Sequence, residues 1–264
     1  MRVFQVDSFT NELFKGNPAG VCMLVEDGSD WWMQNMAREM NLSETAFLKE
    51  VEDGYELRWF TPTTEVDLCG HATLAAAHTL WESGELAPDQ EATFFTRSGV
   101  LRAVKMGDWI QLDFPLEEDE EVDPPQELVD GLGVPFLYVG KNRMDYLVEV
   151  ESETVLRSLK PNMETLTKLA NRGVMVTCQP ESDEFDFVSR FFAPALGIDE
   201  DPVTGSAHCC LGPYWRRKLG KDEFTAYQAS KRGGILQIKV DDRVYIRGQA
   251  RTVFSGIVHG ECRS

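Results

Sequence analysis

The chain has 264 residues, of which 42% are hydrophobic, and this composition is typical of a folded globular protein rather than a disordered one. Its formal net charge of −18 would repel a polyanion, so nucleic acid and anionic membrane surfaces are excluded as expected partners. No apolar run approaches the length that spans a bilayer, and the opening residues MRVFQVDSF lack the features of a signal peptide. We therefore expect a cytoplasmic protein.

Alternating apolar and polar residues predict strands along most of the first half of the chain. The predicted strands are Arg2–Ser8, Ala19–Val25, Ala46–Val51, Tyr55–Phe60, Ala92–Thr96, Val100–Lys105 and Trp109–Phe114. A helix over Trp31–Met40 interrupts them, because its apolar residues recur on one face and Ser29 or Asp30 can cap it. A second helix is predicted after Gly70.

The segment Leu116–Glu127, LEEDEEVDPPQE, is acidic and contains two consecutive prolines, which predicts a linker. It divides the chain into two domains, 1–116 and 117–264, with the last residues free to pack back on the first domain. Helices are predicted in the second half at Glu164–Arg172 and after Gly205. The predicted strands there are Ile235–Val240, Val244–Arg247 and Val253–Val258.

The two halves share a pattern. RWFTP at Arg58–Pro62 parallels RFFAP at Arg190–Pro194, and each is followed by acids, a glycine and a helix. Setting Gly70 on Gly205 preserves this order, with a three-residue difference in the loop. The pattern predicts an internal duplication.

Aligned in this way, His71 corresponds to Ser206 and Glu65 to Glu200. Two domains related by a pseudo-twofold axis would turn equivalent helix amino termini towards one cleft. Free backbone N–H groups at such termini favour an anion. We therefore expect a substrate that carries a carboxylate.

Several longer motifs occur along the chain in a fixed order. They are GNPAGV (Gly16–Val21), NLSETAF (Asn41–Phe47), RWFTP with DLCGHAT (Arg58–Thr73), and RFFAP with DEDPVTGSAH (Asp199–His208). In this order and over this length, the sequence resembles the PhzF-like family, the phenazine-biosynthesis isomerase and its relatives, which have the diaminopimelate epimerase fold. The resemblance implies an α+β protein of two pseudo-symmetric domains, each an antiparallel β-barrel-like sheet around a central helix. It also implies an active site between the domains, no metal, no organic cofactor, and a homodimer.

The resemblance also implies which residues act. It places the catalytic glutamate at Glu44, and the cleft histidine, aspartate and serine at His71, Asp201 and Ser206. We assign substrate binding to four residues in the matching motifs, namely Asn17, Gly70, Thr204 and Gly205.

Simpler roles compete with these assignments. Glu44 is either a solvated loop residue or a carboxylate whose pKa a closed apolar cleft raises, which suits it to take and return a proton near neutral pH. Asp201 is either a helix-capping acid or a substrate ligand. His71 and His78 lie two helical turns apart, about 10 Å, which is too far for one metal ion. His78, His208 and His259 are predicted to be structural.

The six cysteines show no CxxC pair, which argues against a zinc site or a disulfide framework. Epimerases of this fold use two cysteines as base and acid, and Cys69 stands at the first such position. The second loop offers Thr204 and its neighbours rather than a partner cysteine, so thiol racemisation is not expected. The sequence predicts a cofactor-independent isomerase acting on a small carboxylate-bearing metabolite. A cofactor-independent racemase or epimerase, and a non-catalytic binding or scaffold protein, are the alternatives.

Overall fold

The computed structural model describes residues 1–260 and 262, and their fold is α+β, built largely from strands. The chain divides into two units. The first comprises Met1–Asp113 together with the chain from Arg247 onward, and the second comprises Phe114–Ile246. The last strand pairs with the first strand of the chain, so the end of the predicted domain 117–264 packs back on the first unit, which the prediction allowed. Residues 261, 263 and 264 of that prediction lie outside the described residues.

The first unit holds two helices, α1 at Asp30–Met40 and α2 at Gly70–Glu82. Its strands are β1 Arg2–Ser8, β2 Asn17–Leu24, β3 Glu44–Val51, β4 Gly54–Phe60, β5 Glu65–Val66, β6 Ala92–Thr96, β7 Gly99–Met106, β8 Trp109–Pro115 and the C-terminal Ala250–Ile257. These bounds agree with the predicted strands to within a few residues. The Ser29 side chain caps α1 by accepting a hydrogen bond from the Trp32 N–H at 3.2 Å.

The second unit is also mixed. Its strands are β9 Glu120–Glu121, β10 Tyr138–Lys141, β11 Asp145–Glu149, β12 Gly173–Cys178, β13 Phe187–Ala193, β14 Ile198–Asp201, β15 Glu223–Gln228, β16 Gly234–Val240 and β17 Arg243–Gly248. Its helices are α3 Gln126–Leu132, α4 Glu153–Ser158, α5 Met163–Leu166, a 3₁₀ turn at Pro194–Leu196, and α6 Gly205–Leu219. The C-terminal strand of the chain, Ala250–Ile257, is β18.

Two local predictions are wrong. The predicted helix Glu164–Arg172 ends at Leu166, because the backbone N–H of Arg172 donates to the Met144 carbonyl and leads the chain into β12. The predicted linker Leu116–Glu127 contains a short strand and the start of a helix. Backbone hydrogen bonds to β10 hold it, and its acidic side chains form ion pairs, as Asp119 does with Arg217 and Glu117 with Arg143.

Strand pairing follows one pattern in both units. In the first, β2 and β3 are parallel, β3 and β4 antiparallel, β4 and β6 parallel, and β6 and β7 antiparallel. In the second, β11 and β12, β12 and β13, β13 and β15, and β15 and β16 repeat these four directions in the same order. The predicted internal duplication requires this repetition.

Each unit has one long buried helix at the equivalent position. Ten residues of α2 are buried, and the fully buried alanines Ala72, Ala75 and Ala76 let it approach β1, β2 and β3 closely. In the second unit, α6 is buried along most of its length and contacts β16. Among residues 1–260 and 262, no helix combines the length and apolar character that a membrane span needs.

Candidate active site

The first group of predicted site residues lies where α1 ends and α2 begins. Asn41 ends α1 in the left-handed conformation, with φ of 51°, which asparagine tolerates better than most residues. Three residues later the chain enters β3, whose first residue is Glu44. Cys69 is the N-cap residue of α2, and His71 is its second residue. The Ser8 hydroxyl donates to the His71 carbonyl oxygen at 2.8 Å and ties the start of this helix to β1.

The His71 imidazole contacts the side chains of Glu44, Ser43 and Cys69. Its Nε2 lies 3.4 Å from Glu44 Oε2 and 3.3 Å from the Ser43 hydroxyl oxygen. Its Nδ1 lies 3.5 Å from the Cys69 sulfur. The ring is buried, with 5% of the residue exposed, so these contacts form away from bulk water. One imidazole therefore lies against a carboxyl group at one ring nitrogen and a thiol at the other.

Burial raises the pKa of the Glu44 carboxyl group above its ordinary value of 4.5, while hydrogen bonds with Ser43 and Cys69 oppose part of that rise. Glu44 Oε2 is buried and has no hydrogen-bond partner within residues 1–260 and 262, because His71 approaches it without hydrogen-bond geometry. A buried carboxylate oxygen that accepts no hydrogen bond disfavours the charged form of Glu44 and favours its protonation. The group can exchange a proton closer to neutral pH than an exposed glutamate can.

Two of the predicted binding residues belong to the same group. Asn17, the first residue of β2, is fully buried, and its side-chain oxygen lies 3.5 Å from the Ser43 hydroxyl. Gly70 is the first residue of α2, between Cys69 and His71. Ser43 itself was not predicted as a site residue, although it directly precedes Glu44 in the NLSETAF motif.

The remaining predicted residues lie together in the second unit. Asp201 ends β14, Thr204 is the N-cap residue of α6, and Gly205 and Ser206 are its first two residues. The Thr204 hydroxyl donates to Asp201 Oδ2. Ser206 is half-buried, and its hydroxyl forms no hydrogen bond with any described residue. The Asp201 side chain therefore contacts the N-cap residue of α6, and its role as a capping acid or as a substrate ligand stays a prediction.

Gln228 holds this second group together, and sequence reasoning missed it. Its amide nitrogen donates to the Asp201 carbonyl oxygen at 2.8 Å and to the Thr204 hydroxyl at 3.2 Å. Its amide oxygen accepts the Thr204 N–H at 2.8 Å. The alternating pattern of β15 indicates that Gln228 is buried, because it lies on the same face of the strand as the buried Phe224 and Ala226.

The duplication allows the two groups to be compared position by position. Arg58 binds both carboxylate oxygens of Glu65, and Arg190 binds both carboxylate oxygens of Glu200, which supports the predicted alignment. Phe47 pairs with Arg58 as Val176 pairs with Arg190.

Phe47 and Val176 are therefore equivalent positions, and the residues three places before them, Glu44 and Gly173, are equivalent as well. Aligning the first residues of α2 and α6 makes Cys69 equivalent to Thr204 and His71 equivalent to Ser206. Within the repeat, the carboxyl, thiol and imidazole groups of this site occur in the first unit, and the second unit carries a glycine and two hydroxyls in their places.

Within residues 1–260 and 262, Glu44, Cys69 and His71 could together hold a metal ion, because their ligand atoms lie within 4.8 Å of one another. Sulfur, nitrogen and oxygen donors are those that zinc accepts. His78, which is too far along α2 to share a metal ion with His71, has its Nε2 3.1 Å from the Thr252 hydroxyl oxygen. The absence of a metal stays a prediction.

The other cysteines and His208 are buried and His78 is partly buried, whereas His259, which is predicted to be structural, is exposed. All six cysteines lie in the described part of the chain, are buried, and form no disulfide with one another. Burial raises the pKa of the Cys209 thiol to about 12, which keeps it unreactive. The fully buried His208 has its pKa lowered to about 4 by burial, and its Nδ1 lies 2.8 Å from the Thr204 carbonyl oxygen.

Comparison with known proteins agrees with the fold and with the motifs. Residues 6–256 match the family model described as phenazine biosynthesis-like protein, PhzC-PhzF. An uncharacterized isomerase of Halalkalibacterium halodurans is 60% identical over 95% of this chain and 96% of its own length. An uncharacterized isomerase of Pseudomonas aeruginosa is 47% identical over 96% of each chain. The crystal structure of a PhzF-family phenazine biosynthesis protein of Enterococcus faecalis superposes with a TM-score of 0.94 at 40% identity, covering 98% of both chains.

The chain therefore belongs to the PhzF family of phenazine biosynthesis-like proteins, as the motifs indicated. It is an enzyme of the isomerase class, and its family and fold support isomerisation or epimerisation without a cofactor.

Proposed function

We propose that Glu44 moves a proton between two carbon atoms of a small, carboxylate-bearing metabolite. The observation that carries this proposal is the buried Glu44 carboxyl group, which has a raised pKa, an oxygen without a hydrogen-bond partner, and the His71 ring at 3.4 Å. A general base works best when its pKa lies near the working pH, and burial moves Glu44 in that direction.

The proposed step is balanced without an oxidant or reductant. The Glu44 carboxylate takes a proton from an activated C–H bond, and the electron pair of that bond moves into the adjoining unsaturated system. The neutral carboxyl group then returns the proton to a different carbon. His71 contacts the carboxyl group and Ser43 contacts the His71 ring, and these contacts restrict the direction of the carboxyl group.

We propose that the second group binds the substrate. The hydroxyl of Ser206 and the backbone N–H groups at the start of α6 suit an oxyanion, and the hydrogen bond of Asp201 with Thr204 fixes the loop before that helix. Gly205 lets a ligand approach the backbone closely. Asn17 and Gly70 are proposed to contact the same substrate from their places beside Ser43 and His71.

Isomerisation is favoured over two-thiol epimerisation by the comparison of repeats. Epimerisation with two cysteines needs an acid or base at both equivalent positions of the repeat. The position equivalent to Cys69 is Thr204, and the position equivalent to Glu44 is Gly173. Epimerisation stays the second candidate, because the Cys69 sulfur is 3.5 Å from His71 Nδ1 and the pair could supply a second proton. A non-catalytic binding protein would not require the buried carboxyl group. We further propose a cytoplasmic homodimer, as the family resemblance implies.

Proton NMR in deuterated buffer tests the proposal. A panel of small cyclic or unsaturated carboxylates is incubated with the protein, and we expect solvent deuterium to enter at least one of them at carbon. Glu44→Gln keeps the size of the side chain but accepts no proton at neutral pH, so exchange should stop while binding stays within about tenfold.

Glu50→Gln is the matched control, because Glu50 lies on the same strand and is exposed. It should exchange as the parent protein does. Exchange that persists in Glu44→Gln and disappears in Cys69→Ser would assign the chemistry to the thiol and refute the proposal.

A further inference from the structure

A cavity of about 440 Å³ lies in the first unit, beside the second half of α2. The turn between β7 and β8 and the start of β18 complete its wall. The polar side chains that line it and can donate hydrogen bonds are Asn11, His78, Lys105, Gln249 and Arg251. The proposed reaction uses none of these five residues.

Two cations on this wall have no charge partner within the described residues. Lys105 and Arg251 are exposed, and their side chains form no ion pair or hydrogen bond with residues 1–260 or 262. Several other basic side chains do pair with carboxylates, as Arg58 does with Glu65 and as Arg172 does with Asp145. Two neighbouring unpaired cations repel each other, and an anion between them would remove that repulsion.

Two carboxylates also line the cavity, and neither forms an ion pair with Lys105 or Arg251 within the described residues. Glu82 accepts a hydrogen bond from the Thr252 hydroxyl and lies 3.6 Å from His78 Nε2. Asp108 lines the cavity but forms no ion pair with Lys105 or with Arg251 among the described residues.

The lowered pKa of His78 is consistent with nearby positive charges on this wall. Burial lowers the pKa of the imidazole, Glu82 opposes this, and the positive charges of Lys105 and Arg251 lower the pKa further.

We propose that this cavity binds a small oxyanion with two negative charges, such as a dicarboxylate or a phosphate ester, between Lys105 and Arg251. The amides of Asn11 and Gln249 supply neutral donors on the same wall. A volume of about 440 Å³ is within the range of small-molecule sites. His78 follows His71 by seven residues on α2, about 10 Å along the helix, so the occupant is a second ligand and not the substrate of Glu44.

The test is an NMR titration of the imidazole protons with sodium phosphate and, separately, with sodium succinate. Sodium chloride keeps the ionic strength constant, because surface charge effects are screened by salt. We expect the His78 signals to shift and saturate at millimolar anion. His208, which is fully buried in the second unit, serves as the internal control and should not shift.

A matched pair of double variants separates the site from overall charge. Lys105→Gln with Arg251→Gln should weaken binding at least tenfold. Lys160→Gln with Lys168→Gln removes the same charge from two other exposed and unpaired lysines and should leave the affinity unchanged. All four side chains are exposed, so thermal unfolding of both variants should match the parent.

The two anions distinguish the ligand class. Saturation by phosphate alone supports a phosphate ester, and saturation by succinate alone supports a dicarboxylate. A titration that does not saturate with either anion would overturn the proposal. An equal loss of affinity in both double variants would also overturn it, because the anion would then respond to net charge only. This test does not depend on the role of Glu44.

Discussion

Glu44→Gln should make the protein more stable at high pH while abolishing its activity. The folded state holds the Glu44 carboxyl group with a raised pKa, so between pH 4.5 and the folded pKa the folded protein binds more protons than the unfolded chain. The free energy of unfolding therefore falls as pH rises through that window and stays lowered above it. A glutamine at this position has no charge to bury, so it avoids this loss.

The size of the effect follows from the environment of Glu44 Oε2. A buried polar atom without a hydrogen-bond partner costs about 1–3 kcal/mol, and the cost is greater for a charged group. We expect Glu44→Gln to raise the free energy of unfolding by about 1–3 kcal/mol at pH 8, and by nearly nothing at pH 4, where Glu44 is protonated in both states. For a chain of this size, each kcal/mol raises Tm by about 2–4 °C.

The assay is thermal and urea unfolding of both proteins at several pH values between 4 and 8, with tryptophan fluorescence as the measured signal. Taking the difference between variant and parent at each pH cancels the titration of the other carboxylates. Glu50→Gln on the exposed face of the same strand should show a difference near zero throughout. A Glu44→Gln protein that is less stable than the parent at pH 8, or a difference that does not change with pH, would refute the reasoning.

Two further predictions concern the second group and the question of metal. Gln228→Leu removes the acceptor for the Thr204 N–H and the donor for the Asp201 carbonyl, so it should lower the free energy of unfolding by about 2–4 kcal/mol and reduce the exchange rate. Gln237→Leu on the neighbouring strand is its control, and an equal loss there would contradict the role of Gln228. Elemental analysis should find no stoichiometric zinc, iron or manganese, and EDTA should leave Tm and ligand binding unchanged; zinc retained through dialysis and lost in a His71 variant would overturn this prediction.

Local sequence determined most of the secondary structure of this protein. The strands of the first unit and the helix α1 follow from periodicity and capping, because the side chains of one short segment decide which face is buried. The recurring RWFTP and RFFAP segments also indicated the duplication, which the strand pairing repeats. The linker prediction at Leu116–Glu127 failed because backbone hydrogen bonds to another strand, and ion pairs such as that of Asp119 with Arg217, connect the segment to residues far along the chain.

The motifs identified Glu44 and His71 as candidate residues, but only the tertiary structure put the imidazole against Ser43 at one nitrogen and Cys69 at the other. Burial of Glu44, and hence the direction of its pKa shift, depends on elements far apart in the chain that no local pattern specifies. The same holds for Gln228, which is 24 residues from Thr204 and meets it only because β15 passes the start of α6. Local patterns determine which groups are available, and long-range packing determines which of them lose water and meet, because desolvation and contact are properties of the folded chain.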